Sequence, residues 1–226
     1  ISKCGTAFSL KSMEAKAAAK NYQYEKSGAL DAYIKLIEKI AERKEDRTAQ
    51  KAAQKLLSNA TKNNNFEARV AALNILMQIH TVNKASLVKK AVSDKDKAYV
   101  NQALSLYFNP DEKISNNLVK NLSRKEPATQ EVMLYWLGNT LQEKQLPLIL
   151  SYFNNVNPDL RTAAIRAASN IGGIEATKAI LELLKTDDTQ TLKLAENTLL
   201  SSKAEVSSGV MSVYDQASEG GKLVAL

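Results

Sequence analysis

The sequence predicts an all-α fold, built as a stack of about six helical pairs within one domain spanning residues 1–226. Three observations carry this. Residues 157–188 read as a complete helix-turn-helix unit with its start and stop signals intact. Equivalent apolar positions recur at a spacing of 30–31 residues from residue 66 onward. Aromatics make up 6% of the chain against 44% hydrophobic residues, with Ala, Leu and Lys abundant, a balance that favours helices over a β-sandwich or barrel.

In the unit at 157–188, Asn157 suits an N-cap and Pro158 the first helical position, where a missing N–H costs nothing. Leu160, Ala163, Ala164, Ala167, Ala168 and Ile171 then recur at helical spacing, and Gly172-Gly173 stops the helix. A second helix carries Ile180, Leu181 and Leu184 on one face, and Asp188 can cap the next helix. Two short helices cannot bury their apolar faces alone, so the unit must stack on copies of itself.

From the start of the chain, residues 8–26 read as one leading helix, broken by Gly28. Leu30, Tyr33, Ile34, Ile37 and Ile40 form the apolar stripe of a second helix to about Arg43. Asp46 opens a third, in which Ala49, Ala52, Ala53, Leu56 and Leu57 share a face as far as the polar run at 62–65. Residues 1–65 thus form atypical N-terminal repeats.

Regular repeats follow over 66–217. First helices align so that Leu76, Tyr107, Leu137, Ala168 and Leu199 occupy equivalent places, at spacings of 31, 30, 31 and 31. Second helices follow in register at Leu87-Val88-Ala91, Leu118-Val119-Leu122, Ile149-Leu150-Phe153, Ile180-Leu181-Leu184 and Val210-Met211-Tyr214. Pro110, Pro127, Pro147 and Pro158 lie at or near helix starts. Residues 218–226 read as the opening of another first helix. A chain that starts on Ile1 and stops on an apolar run reads as a piece of a larger multi-domain protein.

The unit at 157–188 resembles a HEAT repeat of the short, phycobilisome-lyase-like kind. Pro158, Arg161, Ala163, Ala164, Ile171 and Gly172 match that pattern, whereas Leu160, Ala168 and Ser169 depart from it. The resemblance implies a right-handed α-α superhelix whose second helices line the concave side. It says little about activity, because such repeats serve scaffolds, enzymes and nucleic-acid binders alike.

Chemistry is narrowed by what the chain holds. His80 is the sole histidine, so any Ser-His or Cys-His arrangement would route through it, and it stands at a helix C-terminus, where a turn role suffices. Iron-binding HEAT-repeat hydroxylases use His-Glu pairs, but Thr81 follows His80. Neither a Cys/His metal cluster nor a phosphate-binding glycine loop is present, so no catalytic residue, metal ligand or cofactor is assigned. Cys4 is the one cysteine, which excludes an intrachain disulfide and leaves the compartment open. Trp136 reads as core packing; HEAT-like DNA glycosylases pair such a Trp with an Asp, and no acid stands out as its partner here. No apolar run nears the roughly 18 residues that span a bilayer.

What remains is a surface. The formal charge is +7, and residues 1–66 carry 13 Lys/Arg against 7 Asp/Glu while 67–226 carry 18 against 17. Along the second helices, the residue after each apolar pair gives the ladder Lys89, Lys120, Ser151, Glu182 and Ser212, with Lys90, Asn121 and Tyr152 beside it. This reads as a face that grips an extended or acidic protein segment, with Lys89, Lys90 and Lys120 at a basic end and Tyr152 as a stacking contact. Lys84, Lys95 and Lys97 stand nearby against Asp94 and Asp96. The same basicity allows sequence-independent nucleic-acid binding, ranked lower because only 6 of 31 basic residues are Arg. A third reading is an auxiliary domain of a multi-domain secreted enzyme.

Overall fold

The structure is a computed structural model that describes residues 6–108, 110, 112–201 and 207–225. All regular structure among these residues is helical. The helices pack into two compact units, Ile1–Tyr107 and Phe108–Leu226. The boundary falls between the two helices that the sequence assigns to one pair.

The first unit contains α1 (Leu10–Ala18), α2 (Ala29–Glu42), α3 (Asp46–Lys62), α4 (Phe66–Gln78), α5 (Lys84–Ala91) and α6 (Lys97–Ser105). Its core is the apolar stripe of α2, with Tyr33, Leu36, Ile37 and Ile40 buried against Leu56 of α3 and Ile75 and Leu76 of α4. Each such side chain contributes about 1.5–3 kcal/mol of hydrophobic stabilisation. Gly28 starts α2 with φ 64°, as a chain-reversing glycine should.

The leading helix is shorter than expected, because α1 ends at Ala18. Asn21 and Tyr22 turn left-handed (φ 51° and 55°), and the Tyr22 N–H closes on the Ala17 carbonyl at 2.9 Å. That reversal drops Tyr22 into the core, where its hydroxyl accepts a hydrogen bond from Asn59 at 2.9 Å. Burying the ring outweighs the helical preference of residues 19–26.

The second unit contains α7 (Glu112–Val119), α8 (Pro127–Asn139), α9 (Leu146–Leu150), α10 (Pro158–Ile171), α11 (Gly173–Glu182), α12 (Thr189–Leu200), α13 (Ser207–Val213) and α14 (Glu219–Ala225). Packing runs from α8 to α10 to α12 to α14 in one row and from α9 to α11 to α13 in another, which is a solenoid stack of helical pairs. The alanines of α10 permit a close approach: a Cβ on Gly138 would lie 2.5 Å from the Ala167 Cα. The short second helices tighten into 3-10 turns at Leu122–Arg124, Leu183–Lys185 and Tyr214–Gln216. In α13 the expected register is off. Met211 is 73% exposed, and Gly209 and Val213 face inward instead, with a Cβ on Gly209 set to meet Leu181 at 2.6 Å.

One capping device recurs at the repeat spacing. Asn65, Asp96, Asn157 and Asp188 each accept a backbone N–H from the first turn of the helix that follows. Asp94, Asn155 and Thr186, two residues earlier, accept the cap residue's own N–H at 2.9, 2.9 and 3.3 Å. Ser218 continues the series, accepting the Gly221 N–H at 3.0 Å and donating to the Thr186 carbonyl at 2.7 Å.

Candidate interaction surface

The charged groups that tie repeats together are separate from those that face solvent. Arg69 of α4 is buried, with its guanidinium 3.9 Å from the centroid of the Tyr99 ring. It donates to Asp94 and, at 3.4 Å, to Asp96, the cap of α6, so one side chain joins two successive first helices. Its Nε has no hydrogen-bond partner among the described residues. In the second unit the tie is rebuilt 92 residues further along the sequence: Arg161 donates to Asp188, the cap of α12, and to the Asn155 carbonyl, both at 2.9 Å. The Asp188 carboxyl is held below the usual carboxylate range, by the Thr191 hydroxyl first and then by the Thr191 N–H and Arg161, against a smaller opposing effect of burial. Between these two, Gln130 occupies the arginine position, donates to the Lys125 carbonyl at 2.7 Å and accepts the Tyr152 hydroxyl at 3.0 Å. Asp94, Asp96, Arg161 and Asp188 therefore serve the stacking.

The helical pairs of the second unit have a family counterpart. Residues 115–199 match the family model for HEAT repeats. No curated protein matches the chain. HEAT repeats commonly serve as protein-interaction scaffolds, and the family is generally non-catalytic. The matched HEAT segment covers α8 to α11 whole, with most of α7 and α12.

The structure sorts the ladder residues. Lys89 and Lys90 lie exposed in the last turn of α5, in the first unit, with no acidic partner among the described residues. Lys120, in the second unit, is exposed just past α7 and likewise unpaired. Asn121 sits left-handed at φ 66°, a turn duty asparagine performs well. Ser151 returns its hydroxyl to the Leu148 carbonyl at 2.6 Å, and Glu182 pairs with Lys185 at 2.7 Å. Tyr152 is 5% exposed and holds Gln130, so the expected stacking contact is a core residue. The reason is local: α9 stops at Leu150, and the turn after it carries Tyr152 inward. Burial raises the pKa of its phenol. Lys89 and Lys90 belong to one compact unit and Lys120, Asn121, Ser151 and Glu182 to the other.

Two features escape a sequence reading. Charge divides more sharply by structural unit than by any composition shift: the first unit has 19 Lys/Arg and 10 Asp/Glu (+9), the second 12 and 14 (−2). In the HEAT segment, two adjoining hollows of about 660 and 510 Å³ open beside the C-terminal ends of α10 and α12, sharing Ser169, Asn170, Thr198 and Ser201. Asn170 donates to Asn139 at 3.0 Å across this polar rim.

Among the described residues no three His, Cys, Asp or Glu side chains gather as a metal site requires. His80 is exposed past the end of α4 and Trp136 is buried in α8. Cys4 lies outside the described residues. No described helix is long and apolar enough to cross a membrane.

Proposed function

We propose that this chain is a non-catalytic interaction scaffold whose second helices hold acidic protein segments. Lys89 and Lys90 supply the cations in the first unit, and Lys120, flanked by Asn121, Ser151 and Glu182, supplies one in the second. We read the repeats as the short phycobilisome-lyase-like kind, on Pro158, Arg161, Ala163, Ala164, Ile171 and Gly172. The observation that carries the functional reading is the contrast in pairing. The arginines inside the stack are matched by carboxylates, whereas Lys89, Lys90 and Lys120 are exposed and have no acidic partner among the described residues. Such cations steer an oppositely charged partner and fix its register at little cost to the fold.

The +9 charge of the first unit favours nucleic-acid binding as a second reading. The two separate in a pull-down from nuclease-treated extract followed by a salt titration. A protein partner survives nuclease, and its retention falls with Lys89→Glu and Lys120→Glu while the melting temperature holds. Loss of all retention on nuclease treatment, with a steep salt slope beforehand, selects nucleic acid.

A further inference from the structure

A second cationic site stands in the first unit, away from the ladder, in the groove between α1 and α3. It encloses about 350 Å³ and is lined by Lys11 and Glu14 of α1, Tyr33 of α2, and Arg47, Lys51 and Lys55 of α3. Arg47, Lys51 and Lys55 fall at i, i+4 and i+8, so their charges lie along one helix face about 6 Å apart. Between them the inward residues Thr48 and Ala52 are small, which leaves the groove open. Glu14 is its one carboxylate and is already engaged, pairing with Lys55 at 2.5 Å. Lys11, Arg47 and Lys51 have no acidic partner among the described residues.

The base of the groove supplies a second, independent sign of a ligand. Tyr33 is 1% exposed, yet its hydroxyl makes no hydrogen bond to a described residue. Its oxygen is not sealed in the core, since the one fully enclosed polar side-chain atom without a partner among the described residues is Arg69 Nε. The hydroxyl therefore opens on the groove that Tyr33 lines. Burial pushes this phenol far up from its ordinary pKa, so it stays protonated and offers an O–H to an acceptor. Left unused by the described residues, this O–H is available to an acceptor that enters the groove.

We infer that this groove docks the carboxylate side chains of an acidic peptide segment, with Arg47 and Lys51 pairing to successive carboxylates and the Tyr33 hydroxyl donating to one of them. The inference rests on the scaffold reading above and gives it a defined pocket. Alternate residues of an extended peptide stand about 6.6 Å apart, close to the spacing of the cations. Single-stranded nucleic acid fits less well, because base stacking requires an open aromatic face and the Tyr33 ring is buried.

The test uses the full chain and fluorescence anisotropy, with a fluorescein-labelled hexaglutamate peptide and an equally labelled oligothymidylate as probes. Arg47→Glu/Lys51→Glu is expected to raise the peptide Kd at least tenfold. Tyr33→Phe is expected to raise it about three- to tenfold without changing its salt slope. Lys20→Glu/Lys62→Glu, which removes the same net charge outside the groove, is expected to leave Kd within about twofold. Equal effects of the two charge reversals, no peptide binding at all, or tighter groove-dependent binding of oligothymidylate would each overturn the inference. Peptide binding lost in Lys89→Glu/Lys90→Glu but kept in Arg47→Glu/Lys51→Glu overturns the groove alone and leaves the second-helix reading standing.

Discussion

Replacing Arg69 by Ala tests how the stack is tied. The guanidinium is 6% exposed, contacts Asp94, Asp96 and the Tyr99 ring, and links α4 to the cap of α6. Removing one member of a buried ion pair costs about 3–5 kcal/mol when the survivor is left dry. Here the survivors are 26% and 36% exposed and can rehydrate, which places the charge loss at the low end of that range. Losing the ring contact adds about 1 kcal/mol, and Nε, unpartnered among the described residues, offsets some of it because its desolvation penalty disappears. The expected destabilisation is about 3 kcal/mol, or some 6–12 °C in melting temperature for a chain of this size. Arg161→Ala is the internal comparison. Its guanidinium is 21% exposed and its partner Asp188 41%, so its loss is expected to cost about 1 kcal/mol. Urea unfolding followed by circular dichroism gives both values. Equal costs for the two substitutions, or a cost below about 1 kcal/mol for Arg69→Ala, would refute the view that burial makes this tie strong.

Three further outcomes follow from the packing. The depressed Asp188 carboxyl contributes stability above the unfolded carboxylate value of about 3.9, and that contribution is lost as pH falls through the lower folded value; Asp188→Asn should flatten this acid limb of the unfolding profile. Gly138→Ala drives a methyl against the Ala167 backbone and should cost about 2 kcal/mol in the same urea assay, whereas a neutral result would contradict the close α8–α10 approach. Tyr152→Phe should cost about 1 kcal/mol through the lost bond to Gln130 and leave partner retention unchanged, and weaker retention would return Tyr152 to the surface.

The positions of the helices were legible because their signals are local. Asn157, Asp188, Gly28 and the Gly172-Gly173 turn act within a few residues of themselves, and the spacing from Leu76 to Leu199 records stacking directly. Local signals mislead where distant packing overrides local preference. Tyr22 ends α1 early because a core on α3 receives it, and Met211 lies outside because Gly209 can approach Leu181 and Met211 cannot. The surface is less legible in the sequence for the same reason. Tyr152 stands in ladder register but follows a helix too short to keep it outside. Arg47, Lys51 and Lys55 look like a solvated helix face, and only their juxtaposition with Lys11 and Tyr33 on other helices shows a groove.

The central claim is that the exposed cations of the second-helix surface grip a protein and do not hold the fold. Retention of the nuclease-resistant partner, measured on the Lys89→Glu/Lys90→Glu/Lys120→Glu variant beside its melting temperature, tests it most directly. The account predicts retention reduced at least tenfold with melting within about 2 °C of the parent, since the helix-end contribution of Lys89 and Lys90 is small. Unchanged retention, or loss of binding that merely tracks unfolding, would contradict it.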